Sequence, residues 1–291
     1  MTGTAVRIVH PSHCPDIGPI CQVRPEPPQL HDQVFYVTEL RPVLEYQALD
    51  RMSVELQLPL RLSVTTVRYL RLDGTPFEPD YENIHHRNET LVGPGDPWLS
   101  ARGSLEVGGF ELLGRVGVTL PVGRTEENPF ALGAAGLPHQ HMQFGTGTFN
   151  PLLGLEIARG FGGVQLRAHG QAQLSLYENR HGYRAGTRIL GGVEVGGQVW
   201  QGLHVAGSVD VSSEAPERWD GVIQQDGNLG RTDVLAGASL AYPAGGFALS
   251  LGLKVPVYQH IIQTEEHPSQ LSYPAIVNLG VQRTFDLPGR P

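Results

Sequence analysis

Twelve histidines are spread unevenly along this 291-residue chain. His10, His13 and His31 precede the first clear extended segment. His85 and His86 fall in one polar stretch, His139 and His141 in a second, His181 in a third, and His260 and His267 in a fourth. Only His169 and His204 lie inside alternating apolar/polar segments. In extended backbone, residues i and i+2 point the same way, so His139 and His141 present two imidazoles on one side, with Met142 as a soft neighbour. Each short segment offers at most two imidazoles, so a four-coordinate site requires at least two segments to converge. His85, His86, His139, His141, His260 and His267 are therefore the candidate metal ligands, for a divalent transition metal such as Zn or Cu at extracellular loops. The plainer alternative is that polar loops simply tolerate histidine. Cys14 and Cys21 are the only cysteines, spaced C-x6-C in a Pro-rich stretch. An exported chain would close them into a disulfide; the alternative is a metal site made with His10 and His13.

A second set of residues is charged and periodic. Glu39, Arg41, Glu55, Arg61, Arg102, Glu106, Glu111, Arg115, Glu156, Arg167, His169, Arg188, Glu194, Asp210 and Lys254 occupy one parity of segments whose other parity is apolar. Residues 163–177, GVQLRAHGQAQLSLY, show the pattern best. Val164, Leu166, Ala168, Gly170, Ala172, Leu174 and Leu176 alternate with Gln165, Arg167, His169, Gln171, Gln173, Ser175 and Tyr177. A period of two means β-strand, and a purely apolar face opposite a charged one suits lipid outside and water inside. Both signs alternate between neighbouring strands, so cross-strand pairing is available. Either the pairs interlock into an ionic core, or they line a narrow polar pore.

The elements that must position these residues follow by the same reading. Strands are expected over residues 34–49, 52–70, 98–107, 110–122, 147–158, 163–177, 183–199, 203–211, 231–242, 247–258 and 274–285. Long polar loops are expected over 73–96, 123–143, 212–229 and 259–273, with a shorter one over 178–182. Connections alternate short and long without exception, as in barrels with short periplasmic turns and long outer loops. An even strand number then requires one more strand at the start, and residues 4–9 (TAVRIV) are the candidate. The expectation is an all-β, transmembrane, antiparallel up-and-down β-barrel of about 12 strands. Residues 1–33 hold the first strand and a Pro/Cys-containing outer loop, residues 34–287 the barrel, and residues 288–291 a tail. Aromatic residues such as Trp98, Phe110, Tyr177, Trp200, Phe247 and Phe285 fall near strand ends, where interfacial girdles belong. Arg159 and Arg283 are exceptions to the uncharged apolar parity, and both lie near strand ends.

The bulk numbers agree. A net charge of −8 with no basic cluster argues against a nucleic-acid partner. No apolar run reaches about 18 residues, so no transmembrane helix is expected. Residues 1–13 lack the features of a signal peptide, so export implies that one was removed or lies upstream. G-x-S-x-G, H-E-x-x-H and P-loop patterns are absent, and no enzyme is expected. His204 with Ser208 is the nearest suggestion of a rim-located catalytic pair.

Residues 95–124, GDPWLSARGSLEVGGFELLGRVGVTLPVGR, and 144–159, FGTGTFNPLLGLEIAR, resemble the outer-membrane transporter family of the meta-pathway of phenol degradation. The resemblance rests on a Gly-Asp before a strand, an L-P-x-G ending the next, and a G-x-G near the one after. It implies a small channel and carries no catalytic residue. The His-rich stretch before Phe144 departs from it. The expected function is thus a porin-like channel or transporter in the bacterial outer membrane. Its expected partners are lipid, lipopolysaccharide, a small solute and a partner protein at the outer loops. The alternative is a plugged barrel that serves as a structural, metal-binding or partner-binding surface.

Overall fold

The structure is a computed structural model that describes residues 1–11, 29–80, 83–262 and 272–286. Cys14, Cys21, His13 and His267 lie outside the described residues, and with them the expected disulfide. In chain order the strands begin with β1 (Thr2–Pro11), β2 (Gln29–Leu40), β3 (Val43–Leu49), β4 (Met52–Gln57), β5 (Leu60–Arg71) and β6 (Glu89–Pro94). Next come β7 (Trp98–Val107), β8 (Phe110–Thr119), a short helix α1 (Pro129–Ala134), β9 (Pro151–Phe161), β10 (Val164–Gln173) and β11 (Tyr183–Arg184). The chain continues with β12 (Arg188–Trp200), β13 (Leu203–Glu214), β14 (Arg218–Trp219), β15 (Arg231–Ala244), β16 (Phe247–Ile261) and β17 (Ile276–Gln282).

Every pairing in the large sheet is antiparallel, and the sheet returns on itself. β1 pairs β17 on one side and β2 on the other. From β7 the ladder runs through β8, β9, β10, β12, β13, β15 and β16 to β17. β2 and β3, β4 and β5, and β6 and β7 are each one strand interrupted by two or three residues. β2 pairs β5 while β3 pairs β4. β5 pairs β6 while β4 pairs β7. With each interrupted pair taken as one, and β11 and β14 set apart, the wall has the twelve strands expected. The first is the strand anticipated at residues 4–9, longer at both ends.

The polarity of this wall is inverted relative to a soluble protein. Leu155, Val193, Val195, Leu251 and Leu253 are exposed, whereas Ser53, Glu55, Gln57, Ser100 and Asp210 are buried. A chain that turns leucine and valine outward and carboxylates inward fits hydrocarbon around a polar interior. Arg159, the outward exception, lies over the rings of Phe110 (4.6 Å) and Phe161 (5.3 Å). Arg283 lies likewise over Phe247 (5.0 Å) and Phe285 (4.8 Å). Both cations sit on aromatic faces at the short-turn end, where a charge on the lipid parity costs least.

Three expectations are corrected. Residues 89–94, read as loop, form β6. Glu55 faces Ser100 below the break and Arg61 faces Gly93 above it, so the inward parity changes from even to odd between β7 and β6. No single period-two pattern spans that slip, and Gly95-Asp96-Pro97 within it looks like a turn. Second, the 163–177 segment leaves the ladder after Gln173. Third, residues 183–184 belong not to the wall but to a two-stranded sheet of β11 with β14. That sheet and α1 form a lid-like cluster at the long-loop end, where Trp219, Tyr183 and Ala185 are buried with Phe130 against them. Asn128 caps α1 by accepting from the Phe130 and Ala131 amides.

Candidate functional site: a charged lumen with a histidine-packed mouth

The inward side chains form ion pairs, some within one strand and others between strands. Glu39 accepts from Arg41 Nε (2.7 Å) and Arg61 Nε (2.8 Å). Arg102 and Arg115 are direct cross-strand neighbours of like charge. Glu55 lies against both, at 3.3 and 3.2 Å. Arg167 bridges Glu156 (3.1 Å) and Glu194 (3.5 Å), and Arg188 pairs Glu214 (3.1 Å). Glu106 and Glu111 do not join this network. They face each other across the last rungs of the β7–β8 hairpin and are exposed at the short-turn end.

One carboxylate spans four strand intervals. Asp210 on β13 is fully buried and lies 2.8 Å from Lys254 on β16 and 3.2 Å from His169 on β10. Each partner is two strands away, so an intervening side chain would block the reach. Gly192 on β12 and Gly237 on β15 occupy those places. A Cβ at Gly192 would meet Asp210 Oδ1 at 2.7 Å, and one at Gly237 would meet Ser208 Oγ at 2.4 Å. Ser208 donates to Asp210 (3.0 Å) rather than to any histidine, so the suggested His204/Ser208 pair does not form.

Above this wall, the chain folds in on one residue. Asp96 Oδ1 accepts from Gly123 N (2.9 Å), and its Oδ2 accepts from the backbone and hydroxyl of Thr146 (2.6 and 2.7 Å). The Gly-Asp, L-P-x-G and G-x-G elements noted in sequence thus converge on a single carboxylate. Arg61 Nη1 donates to the Phe144 carbonyl (2.5 Å), and Phe144 is buried. The segment 143–146 is held across the upper lumen, where a cavity of about 450 Å³ remains. Arg41, Arg61, Arg188 and Arg231 line it together with Asp96, Glu214, Asp233 and Tyr273. The acids lie deeper than the cations: Arg188 keeps half its side chain accessible and Arg41 a third, while Asp233 is almost wholly covered.

The histidines gather at the mouth. His10 and His31 are cross-strand partners on β1 and β2. The 83–88 segment places His86 beside them, with His31 Nδ1 and His86 Nδ1 sharing a proton at 2.7 Å. The His85 and His86 rings stack at 4.0 Å, and His85 lies 4.7 Å from His139 and 4.5 Å from His141. Asn83 Oδ1 accepts from the amides of both His85 and His86, and His139 N donates to the Ile84 carbonyl (3.2 Å). Burial holds the His85, His86 and His139 imidazoles below their ordinary protonation range, and His141 is pushed down to about 3. Four of the six ligands expected from sequence therefore meet. His260 does not: it is exposed on the outward side of β16, near Tyr258. His31 was absent from the expected ligands, and His10 entered only in the alternative site with His13 and the cysteines, although their placement is legible afterwards. Each lies at the end of a strand, on the inward parity, at the long-loop end.

No family model matches the chain, and no curated protein matches it. Among solved structures, the COG4313 outer membrane channel from Pseudomonas putida F1 is similar with a TM-score of 0.54 and 14% identity. The match covers 97% of this chain and 94% of that one. At this identity the likeness is one of fold, and the sequence resemblance to the phenol-pathway transporters reaches no further than the same kind of barrel. The chain is a transmembrane antiparallel up-and-down β-barrel.

Proposed function

We propose that this chain is a bacterial outer-membrane channel for small polar solutes, with its long loops outward. The observation that carries this reading is the cavity of about 450 Å³ inside a wall of inverted polarity, lined by four arginines from separate elements. A barrel built only for rigidity has no need to leave guanidinium groups accessible while burying their counter-ions. Because the accessible charge in the upper lumen is cationic, small anions are favoured over cations. The solved channel from Pseudomonas putida F1 supports a channel of this fold. The test is reconstitution in planar bilayers under a salt gradient. Discrete conductance steps with a reversal potential on the anion side are expected. Silence would favour the second reading, a plugged barrel, for which the interlocked ion pairs and the tethered 143–146 segment speak.

A further inference from the structure

We propose that His85, His139 and His141 form a binding site for a divalent transition metal of the zinc and copper class at the mouth of the barrel. Each offers a ring nitrogen, and the three atoms lie within 4.8 Å of one another. Tetrahedral zinc with Zn–N of about 2.0–2.1 Å needs its nitrogens about 3.3–3.4 Å apart, so closing on an ion takes a shift of about 1.5 Å or less per ring. The residues come from two segments that are already fastened together. Asn83 fixes the backbone at His85, and the His139 N–H to Ile84 carbonyl bond joins the segments. Arg87 Nη1 adds a bond to the Ile84 carbonyl at 2.7 Å.

The ring states also suit a metal. His139 Nδ1 lies 2.9 Å from the Leu137 carbonyl, which can only accept, so Nδ1 carries the proton and Nε2 keeps its lone pair. An outer partner of this kind is how metal-bound histidines are oriented. Phe130 meets His141 edge-on at 5.0 Å and walls the other side. Three imidazoles leave a fourth position open to water or to a passing ligand. His10, His31 and His86 make a second triad whose ligand atoms also lie within 4.8 Å. There the Nδ1 atoms of His31 and His86 already bond each other through one shared proton, so an ion is confined to the remaining ring nitrogens. The first ion therefore goes to the His85 triad.

The test uses the full chain in detergent, so it is independent of whether the barrel conducts. Calorimetric titration with Zn²⁺ should show saturable binding and raise the melting temperature. Co²⁺ should give the visible bands of a nitrogen-ligated tetrahedral ion, without thiolate charge transfer. His139→Gln with His141→Gln should weaken the first ion by more than about 100-fold, beyond the cost of losing an outer-shell partner. His10→Gln with His31→Gln should leave it bound. Absence of saturable binding to the unaltered chain overturns the proposal, and so does binding unchanged by the His139/His141 pair. A thiolate band in the Co²⁺ spectrum would also overturn it, moving the site to Cys14 and Cys21.

Discussion

Asp210 and Asp96 show how much one buried carboxylate can organise. Asp210 holds Lys254 and His169 across two glycine gaps. Replacement by Asn keeps an acceptor for Ser208 but leaves Lys254 without its counter-charge. Because Lys254 keeps a third of its side chain accessible, the stability cost should fall below about 3–5 kcal/mol, that of a fully buried pair that loses one partner. The reversal potential measured in bilayers should move further toward anions, and an unchanged potential would take Asp210 out of the conduction path. Asp96→Ala is predicted to be harsher, since a charged acceptor contributes about 1.5–3 kcal/mol per hydrogen bond. Loss of its bonds to Gly123 and Thr146 should release the 143–146 segment, raising conductance and opening residues 123–146 to limited proteolysis. The importance of Asp96 was legible in sequence only as a Gly-Asp pair. Its donors lie 27 and 50 residues away, and local pattern carries no trace of such distances.

Among the elements, those with an unbroken period of two were legible to within a few residues, β7, β8 and β13 most of all. β6 was not, because the parity slip at residues 95–97 erases the alternation that identifies a strand. The β11–β14 sheet was hidden for a different reason: two-residue strands have no period, and Trp219 is buried by loops rather than by a face. That cluster also carries a pH dependence. Glu217 is covered by it, and burial raises its pKa above the ordinary 4.5, partly offset by a hydrogen bond from the Asn228 amide. A raised acid penalises the folded state when ionised, so the cluster gains stability as pH falls through the folded pKa toward 4.5. Glu217→Gln should therefore slow amide exchange at Tyr183 and Trp219 at neutral pH, and the gain should vanish in acid. A gain independent of pH would mean that Glu217 is neutral throughout.

At the scale of the whole molecule, strand number and the inside-out polarity were readable because lipid imposes them on every strand alike. Closure depends on β1 meeting β17 across nearly the whole chain, and it was legible only through the even strand number that required a strand at residues 4–9. The alternation of two-residue turns with long loops predicts orientation. Single cysteines at Gly108, Gly162 and Trp200 should resist a membrane-impermeant thiol reagent on intact cells, whereas those at Asn88, Glu127 and Asp220 should react, in a background lacking Cys14 and Cys21. The reverse pattern would turn the barrel upside down.

The three interruptions in the wall lie side by side. Pro42, Pro59 and Pro97 have no N–H to contribute, and backbone bonds still cross at each break: Leu58 to the Pro42 carbonyl, Gly95 to that of Pro59, and Leu120 to that of Pro97. Three neighbouring strands are therefore creased at one height. Above the crease, β2, β5 and β6 form a panel that joins the unbroken β1 on one side and is tied through Asp96 to Gly123 and Thr146 on the other. The panel carries His31 at its upper edge, and Asp96 sits on the crease itself. The crease therefore lets the upper panel take an inward parity of its own, odd on β6 where β7 is even, while the lipid-facing belt beneath keeps its alternation unbroken.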